Sequence, residues 1–265
     1  MPPPSPLRHA SVAQLVADIN AQSRAVRTFT ASVELEPETG SAFTGVIRQY
    51  HDVRGYILVK RPHWIRVVGQ APVVRTDLFD MVSDGERFNL YVPPRGKFYV
   101  GTATVKTPSK NSLENLRPQH LTDALLLEPL DPNRACYFRE DVQSGSESDY
   151  VIGEFDRCGT GLLDLKRKIW FNRSDLTISR VQLYGAEGAY LEDIRYSDYQ
   201  EFGGVSYPAQ IAIRRPVEDY SLTIRILHAE FNQPIPLAKF TLKSPPGVKV
   251  INLNSAGQPE ASHDR

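Results

Sequence analysis

The chain has 265 residues, thirty-one Lys plus Arg against thirty-one Asp plus Glu, and two cysteines. Balanced charge, with neither sign gathered in a long run, removes the usual electrostatic footprint of a nucleic-acid binder. No apolar run approaches the roughly 20 residues that a membrane-spanning helix needs, and a chain of this length can bury roughly 75% of its unfolded surface without help from disulfides or metals.

Residues 1–10 are Pro-rich and without periodicity, which predicts a flexible tether, and they lack the apolar stretch of a signal peptide. Val12, Leu15, Val16, Ile19 and Val26 then recur at helical spacing, with Ser11 and Gln14 placed for a capping box, so an amphipathic helix is expected to end near Arg27. Phe29, Ala31, Val33 and Leu35 alternate with polar residues, the pattern of a strand onto which that helix can pack.

Strand-like runs follow at Phe43–Tyr50, Gly55–Lys60, Trp64–Val68, Asp77–Val82, Arg87–Val92 and Lys97–Gly101. They are cut apart by Arg61-Pro62, by Gly69 to Pro72 and by Asp84-Gly85, and the short gaps favour an antiparallel meander over parallel units with helical crossovers. The stretch Thr107–Pro132 interrupts them with helix formers. Pro118 suits a first helical turn there, and Leu113, Leu116, Leu121, Leu125 and Leu126 would face one way.

Seven further strand-like runs are expected between Ala135 and Phe231, and the tail from Asn254 is polar and predicted to be disordered. The reading is a mainly β (α+β) fold, with residues 11–253 as one domain and 254–265 as a tail. A sheet of about a dozen strands must curl, split or close. Two short helices can cap the concave face of a curved, partly open barrel, leaving either a packed core or an apolar cavity.

No GxSxG, HExxH, P-loop or GxGxxG motif is present, so the sequence names no catalytic residue and no cofactor. The six histidines are scattered, with no pair one helical turn apart, and no metal site is expected. Asp77, Asp80 and Asp84 could serve a hydrolase. Strand alternation, however, would point Asp77 and Asp80 to opposite faces, and Asp84 before Gly85 suits a tight turn. Cys136 and Cys158 flank a hairpin that can bring them opposite each other; a disulfide there needs an oxidising compartment, and two separate buried thiols are the alternative. Arg66 shares a strand face with Trp64 and Val68: on an apolar face it would need backbone carbonyls or Asp123 as acceptor, and on a wet face it is an ordinary surface arginine.

The run GYILVKRP, Arg66 beyond it, the MVSDG turn leading to Tyr91-Val92-Pro93, and the late segments GGVSYPAQIAI, NQPIP and FTLKSPPGVKV resemble, in that order, the bacterial LolA/LolB lipoprotein-carrier superfamily. The resemblance covers the chain from about Ser11 to Leu253. It implies an unclosed half-barrel of antiparallel strands with a helical lid, holding lipid or lipoprotein acyl chains in an apolar concave groove without chemistry. Phe29, Val33, Trp64, Arg66, Phe79 and Tyr91 would line that groove. Leu113, Leu116, Leu121, Leu125 and Leu126 would form the lid, and Arg66 would help to hold it shut. It also implies a protein of the periplasm or of the periplasmic face of the outer membrane, with other envelope proteins as partners and with a signal and lipid anchor removed. A structural or interaction lipoprotein of the same fold, its cavity filled by its own side chains, is the rival reading.

Overall fold

A computed structural model describes residues 6–39, 48–49, 53–71, 75–103, 117–131, 136–145, 147–157 and 163–255. Helix α1 (Val12–Ala25) is followed by β1 (Thr28–Thr39), β2 (Arg48–Gln49), β3 (Val53–Lys60), β4 (Trp64–Gln70), β5 (Asp77–Ser83), β6 (Arg87–Val92) and β7 (Lys97–Thr102). Helix α2 (Pro118–Leu125) separates these from β8 (Cys136–Ser144), β9 (Glu147–Arg157), β10 (Leu163–Asn172), β11 (Ile178–Tyr184), β12 (Tyr190–Phe202), β13 (Val205–Arg215), β14 (Tyr220–Phe231) and β15 (Lys249–Asn252).

The strands follow the order β15-β7-β6-β5-β4-β3-β1-β14-β13-β12-β11-β10-β9-β8, with β2 beside β1. β15 and β8, at the two ends, have one neighbour each, so the sheet is open. Consecutive strands pair antiparallel through short turns, which is what the close spacing of the strand-like runs dictates. Two pairings join strands far apart in the chain: β1 lies beside β14, and β15 runs parallel to β7.

The chain gathers into two compact units. The first holds residues 1–26, 37–49 and 126–225, and the second holds residues 27–36, 50–125 and 226–265.

In the first unit the register aligns Ile152, Ile169, Val181, Ile194, Ile213 and Leu222 across six strands, all buried on one face. Helix α1 lies against β8 and buries Leu15 and Ile19 completely, together with Val16 and Ser23. Its first turn is closed by the capping box: Gln14 N–H donates to Ser11 Oγ at 3.2 Å, and Ser11 N–H donates to Gln14 Oε1 at 2.7 Å. Asn20, half-way along α1, clamps the chain at Leu130 by accepting from its N–H at 2.7 Å and donating to its carbonyl at 2.9 Å. Arg167 holds the same segment from the sheet, donating to the carbonyls of Glu128 and Pro129 while it pairs with Glu154.

The expected tether is tied down in its second half. Arg8 N–H donates to the Arg173 carbonyl, Tyr150 Oη donates to the Arg8 carbonyl, and Arg139 donates to the Ala10 carbonyl. An extended segment leaves its carbonyls open, and Arg and Tyr side chains of the sheet supply the donors. At the other terminus the ordered chain passes the expected boundary, because Asn254 Oδ1 accepts from Thr102 N–H at 3.0 Å.

Three phenylalanines lie over glycines on the neighbouring strand. Phe79 covers Gly69, Phe88 covers Gly101 and Phe138 covers Gly153, each pair in register. A methyl group on Gly153 would come within 1.9 Å of the Phe138 ring, so the missing side chain is what lets the ring lie flat on the backbone.

Candidate functional site

The second unit presents one apolar sheet face built row by row from the register. Phe29, Val59, Ile65, Ser83, Phe88 and Gly101 align in one row, and Ala31, Ile57, Val67, Met81, Leu90 and Tyr99 in the next. Every side chain in these rows is buried, and Phe29, Ile57, Val59, Ile65 and Met81 are completely so. A third row, Val33, Gly55, Gly69 and Phe79, continues the face. Alternation along β1, β3 and β4 places the polar partners of these residues on the opposite side.

Helix α2 lies against β5. Proline at its first position fixes the entry, since its missing N–H costs nothing there. Leu121, Ala124 and Leu125, with Leu126 just beyond, are each 2% exposed or less. Arg117, at the mouth of the helix, sets its guanidinium 5.0 Å from the Phe88 ring centroid. Thr122 satisfies its buried hydroxyl by donating to the Pro118 carbonyl, and Gln119 pairs with Asp123 along the helix. Leu113 and Leu116, expected in the same lid, lie outside the described residues.

The six residues expected in one groove divide between the two faces. Phe29, Val33 and Phe79 belong to the apolar face, whereas Trp64, Arg66 and Tyr91 lie on the other. The sharing of a face by Trp64, Arg66 and Val68 is as the alternation of WIRVV dictates, but that face is not the one beneath α2. Arg66 does not reach Asp123. Its Nε and one terminal nitrogen donate to Asp80 at 3.0 and 2.7 Å, and the other terminal nitrogen donates to the Lys239 carbonyl at 2.9 Å.

The opposite face is crossed by residues 233–242. Lys60 donates to the Ile235 carbonyl, Asn89 donates to the Leu242 carbonyl, and Phe240 packs 5.9 Å from Trp64, centroid to centroid. Three side chains from β3, β4 and β6 thus bind the backbone of this strap rather than its side chains. Sequence reasoning missed it because NQPIPLAKF shows no period; the signal lay in Lys60, Arg66 and Asn89, polar residues on the same face of β3, β4 and β6.

The three aspartates form no joint site. Asp77 accepts from Gln70, Asp80 is held by Arg66, and Asp84 Oδ1 accepts from the N–H groups of Glu86 and Arg87. Asp77 and Asp80 share a face, contrary to simple alternation, because a register shift at Gly69/Gln70 inserts an extra residue between them. Among the described residues no group of three or more His, Cys, Asp or Glu is arranged to hold a metal ion. Cys136 carries a free thiol at the start of β8, and Cys158 lies outside the described residues.

A second polar centre sits in the first unit. Arg215 donates to Glu192 Oε2 at 2.5 Å and to Glu218 Oε1 at 2.8 Å, with Glu192 fully buried and the other two nearly so. Burial, reinforced by the Glu192 charge, pushes the neighbouring Tyr220 phenol well above its ordinary range. This centre fixes the turn between β13 and β14 against β12.

No protein-family model matches the sequence, and no curated protein matches it either. Solved structures do share its architecture. A DUF1329 family protein from Desulfovibrio piger aligns with 86% of this chain and 94% of its own, at a TM-score of 0.58 and 13% identity. A LolA superfamily protein from Nitrosomonas europaea aligns over 86% and 97%, at 0.52 and 14%. An outer membrane lipoprotein-sorting protein domain from Vibrio parahaemolyticus aligns over 85% and 94%, at 0.53 and 11%. On these likenesses, and with its N-terminal helix and open sheet, the chain has a LolA-like fold.

Proposed function

We propose that the apolar face of the second unit, beneath α2, receives acyl chains of a lipid or lipoprotein, without chemistry, in the cell envelope. The observation that carries this reading is a wide sheet face, apolar except at Ser83, with an eight-residue helix packed against it at β5. Burying a chain of about a dozen methylenes yields on the order of 10 kcal/mol at roughly 0.8 kcal/mol per CH₂. A helix this short is marginal on its own and is held by its packing, so it is the element on that face that an incoming chain can displace most readily.

The likeness to a lipoprotein-sorting domain and to a LolA superfamily protein supports the same reading. A structural role with the face permanently filled is the second reading, and the burial of Leu121, Leu125 and Leu126 favours it.

Delipidated protein titrated with a fluorescent fatty acid separates the two. Saturable binding, abolished by Phe29→Asp or Met81→Asp in variants that retain their circular dichroism, supports the carrier. Failure to bind any acyl probe, with no lipid released on denaturation, supports the filled face.

A further inference from the structure

Charges scattered along the sequence collect on one face of the first unit. On the side of the sheet opposite the Ile152–Leu222 row, the register aligns Lys168, Gln182, Asp193, Arg214 and Ser221. The next row is Trp170, Arg180, Arg195, Ala212 and Thr223, and Ser197, Gln210 and Arg225 follow. From β10 to β14 these three rows carry five basic side chains and one acidic one, in a chain whose total charge is zero, and the second row continues across β9 to Glu140 on β8. The acid, Asp193, is 7% exposed and spanned by both nitrogens of the Arg180 fork, at 2.6 and 2.8 Å. Arg195 stands directly opposite Arg180, its Nε 3.8 Å from the same Asp193 carboxylate, and its side chain is 65% exposed. Arg214 and Arg225 are exposed as well.

We propose that this face docks on an anionic lipid surface. The aromatic groups beside it point to a bilayer rather than to a nucleic acid. Trp170 is covered by the Arg180 guanidinium, 5.0 Å from its centroid, and Tyr184 and Tyr190 pack on each other at 5.8 Å. Those rings offer no open platform for stacking bases. Half-buried Trp170, together with Tyr184 and Tyr190 whose hydroxyls are both hydrogen-bonded to Gln182, suits the headgroup level of a membrane. Cations spread over three rows of one sheet face can meet several lipid phosphates at once, and because attraction falls off within a Debye length, a face-on approach is the one that engages them together. The proposal is independent of what binds beneath α2.

Co-sedimentation with vesicles of phosphatidylcholine, with and without phosphatidylglycerol, tests it. Binding is expected to the anionic vesicles alone and is lost between about 50 and 500 mM salt. The triple variant Lys168→Glu, Arg195→Glu, Arg214→Glu lowers partitioning about a hundredfold or more, while Arg54→Glu, Lys243→Glu, Lys249→Glu, of equal net charge, leaves it unchanged. If the charge-reversed variant fails to fold, the glutamine variants at the same three positions give the same ordering with a smaller loss. Equal binding to neutral vesicles, equal loss in both triple variants, or retention on heparin with none on vesicles overturns the proposal. Loss of fatty-acid binding beneath α2 would leave this result standing.

Discussion

Arg66 on β4 grips both carboxylate oxygens of Asp80 on β5 and, with its remaining nitrogen, the backbone of Lys239. The fork joins two strands and a strap on the face that α2 does not cover. A bidentate geometry of this kind adds orientation as well as energy.

Replacing Arg66 by leucine therefore strands the Asp80 carboxylate, 8% exposed, without its cation. The expected loss is about 3 kcal/mol, the low end for breaking a buried pair because Arg66 keeps some solvent contact. Arg66→Leu should also speed tryptic cleavage after Lys239 and leave acyl-probe affinity unchanged. Asp80→Leu in the same chain should restore part of the stability; urea unfolding of the singles and the double measures it.

Leu125 is 2% exposed on the underside of α2. Leu125→Ala should cost about 2–5 kcal/mol, and Leu125→Asp should expose 118–125 to limited proteolysis. If α2 is a displaceable cover, Leu125→Ala raises the association rate of a fluorescent fatty acid; stopped-flow mixing reads this.

Gly153 and Phe138 are coupled. Gly153→Ala alone drives a methyl group into the ring and should cost about 1–3 kcal/mol as overpacking. In a Phe138→Ala background the same change should be neutral or stabilising, since alanine is the better strand residue once the space is open. A double-mutant cycle by thermal unfolding gives the coupling.

Arg215→Met leaves two buried carboxylates facing each other and should cost about 3–5 kcal/mol. Glu218→Gln, which keeps the shape and a hydrogen-bonding oxygen, should cost far less. Chemical denaturation of both variants distinguishes a charge hub from simple packing.

Alkaline pH provides a further check. Burial, then the Glu154 charge, raises the Tyr137 phenol to about 12, and burial raises Tyr199 and Tyr220 as well. A phenol harder to ionise when folded contributes stability that is intact below the unfolded value near 10 and is lost as pH rises through the folded value. Stability should thus fall from about pH 10 upward. Tyr137→Phe should flatten the part of that fall between about 10 and 12, after correction for its lost hydrogen bond to the Asp131 carbonyl.

The strands, the capping box at Ser11 and the helix opening at Pro118 were legible because period, cap and proline are local signals. The facing of individual side chains was not. One extra residue in β5 reverses the relation of Asp77 to Asp80, and no composition marks it. Arg66 was visible as a polar residue between Trp64 and Val68, but which face α2 would cover depends on packing across strands far apart in sequence. The basic rows of β10 to β14 are likewise invisible in a linear charge count, because each strand contributes one or two cations that only the register lines up.

The parallel pairing of β15 with β7 bears on how the molecule is made. Most neighbours can close a hairpin as the chain emerges, but β1 and β7 are built early: one edge of β1 waits for β14, and the outer edge of β7 waits for residues 249–252. The strap 233–242 arrives equally late. A polypeptide delivered N-terminus first would thus hold an open β7 edge and a bare Trp64 face until residues 233–252 are delivered.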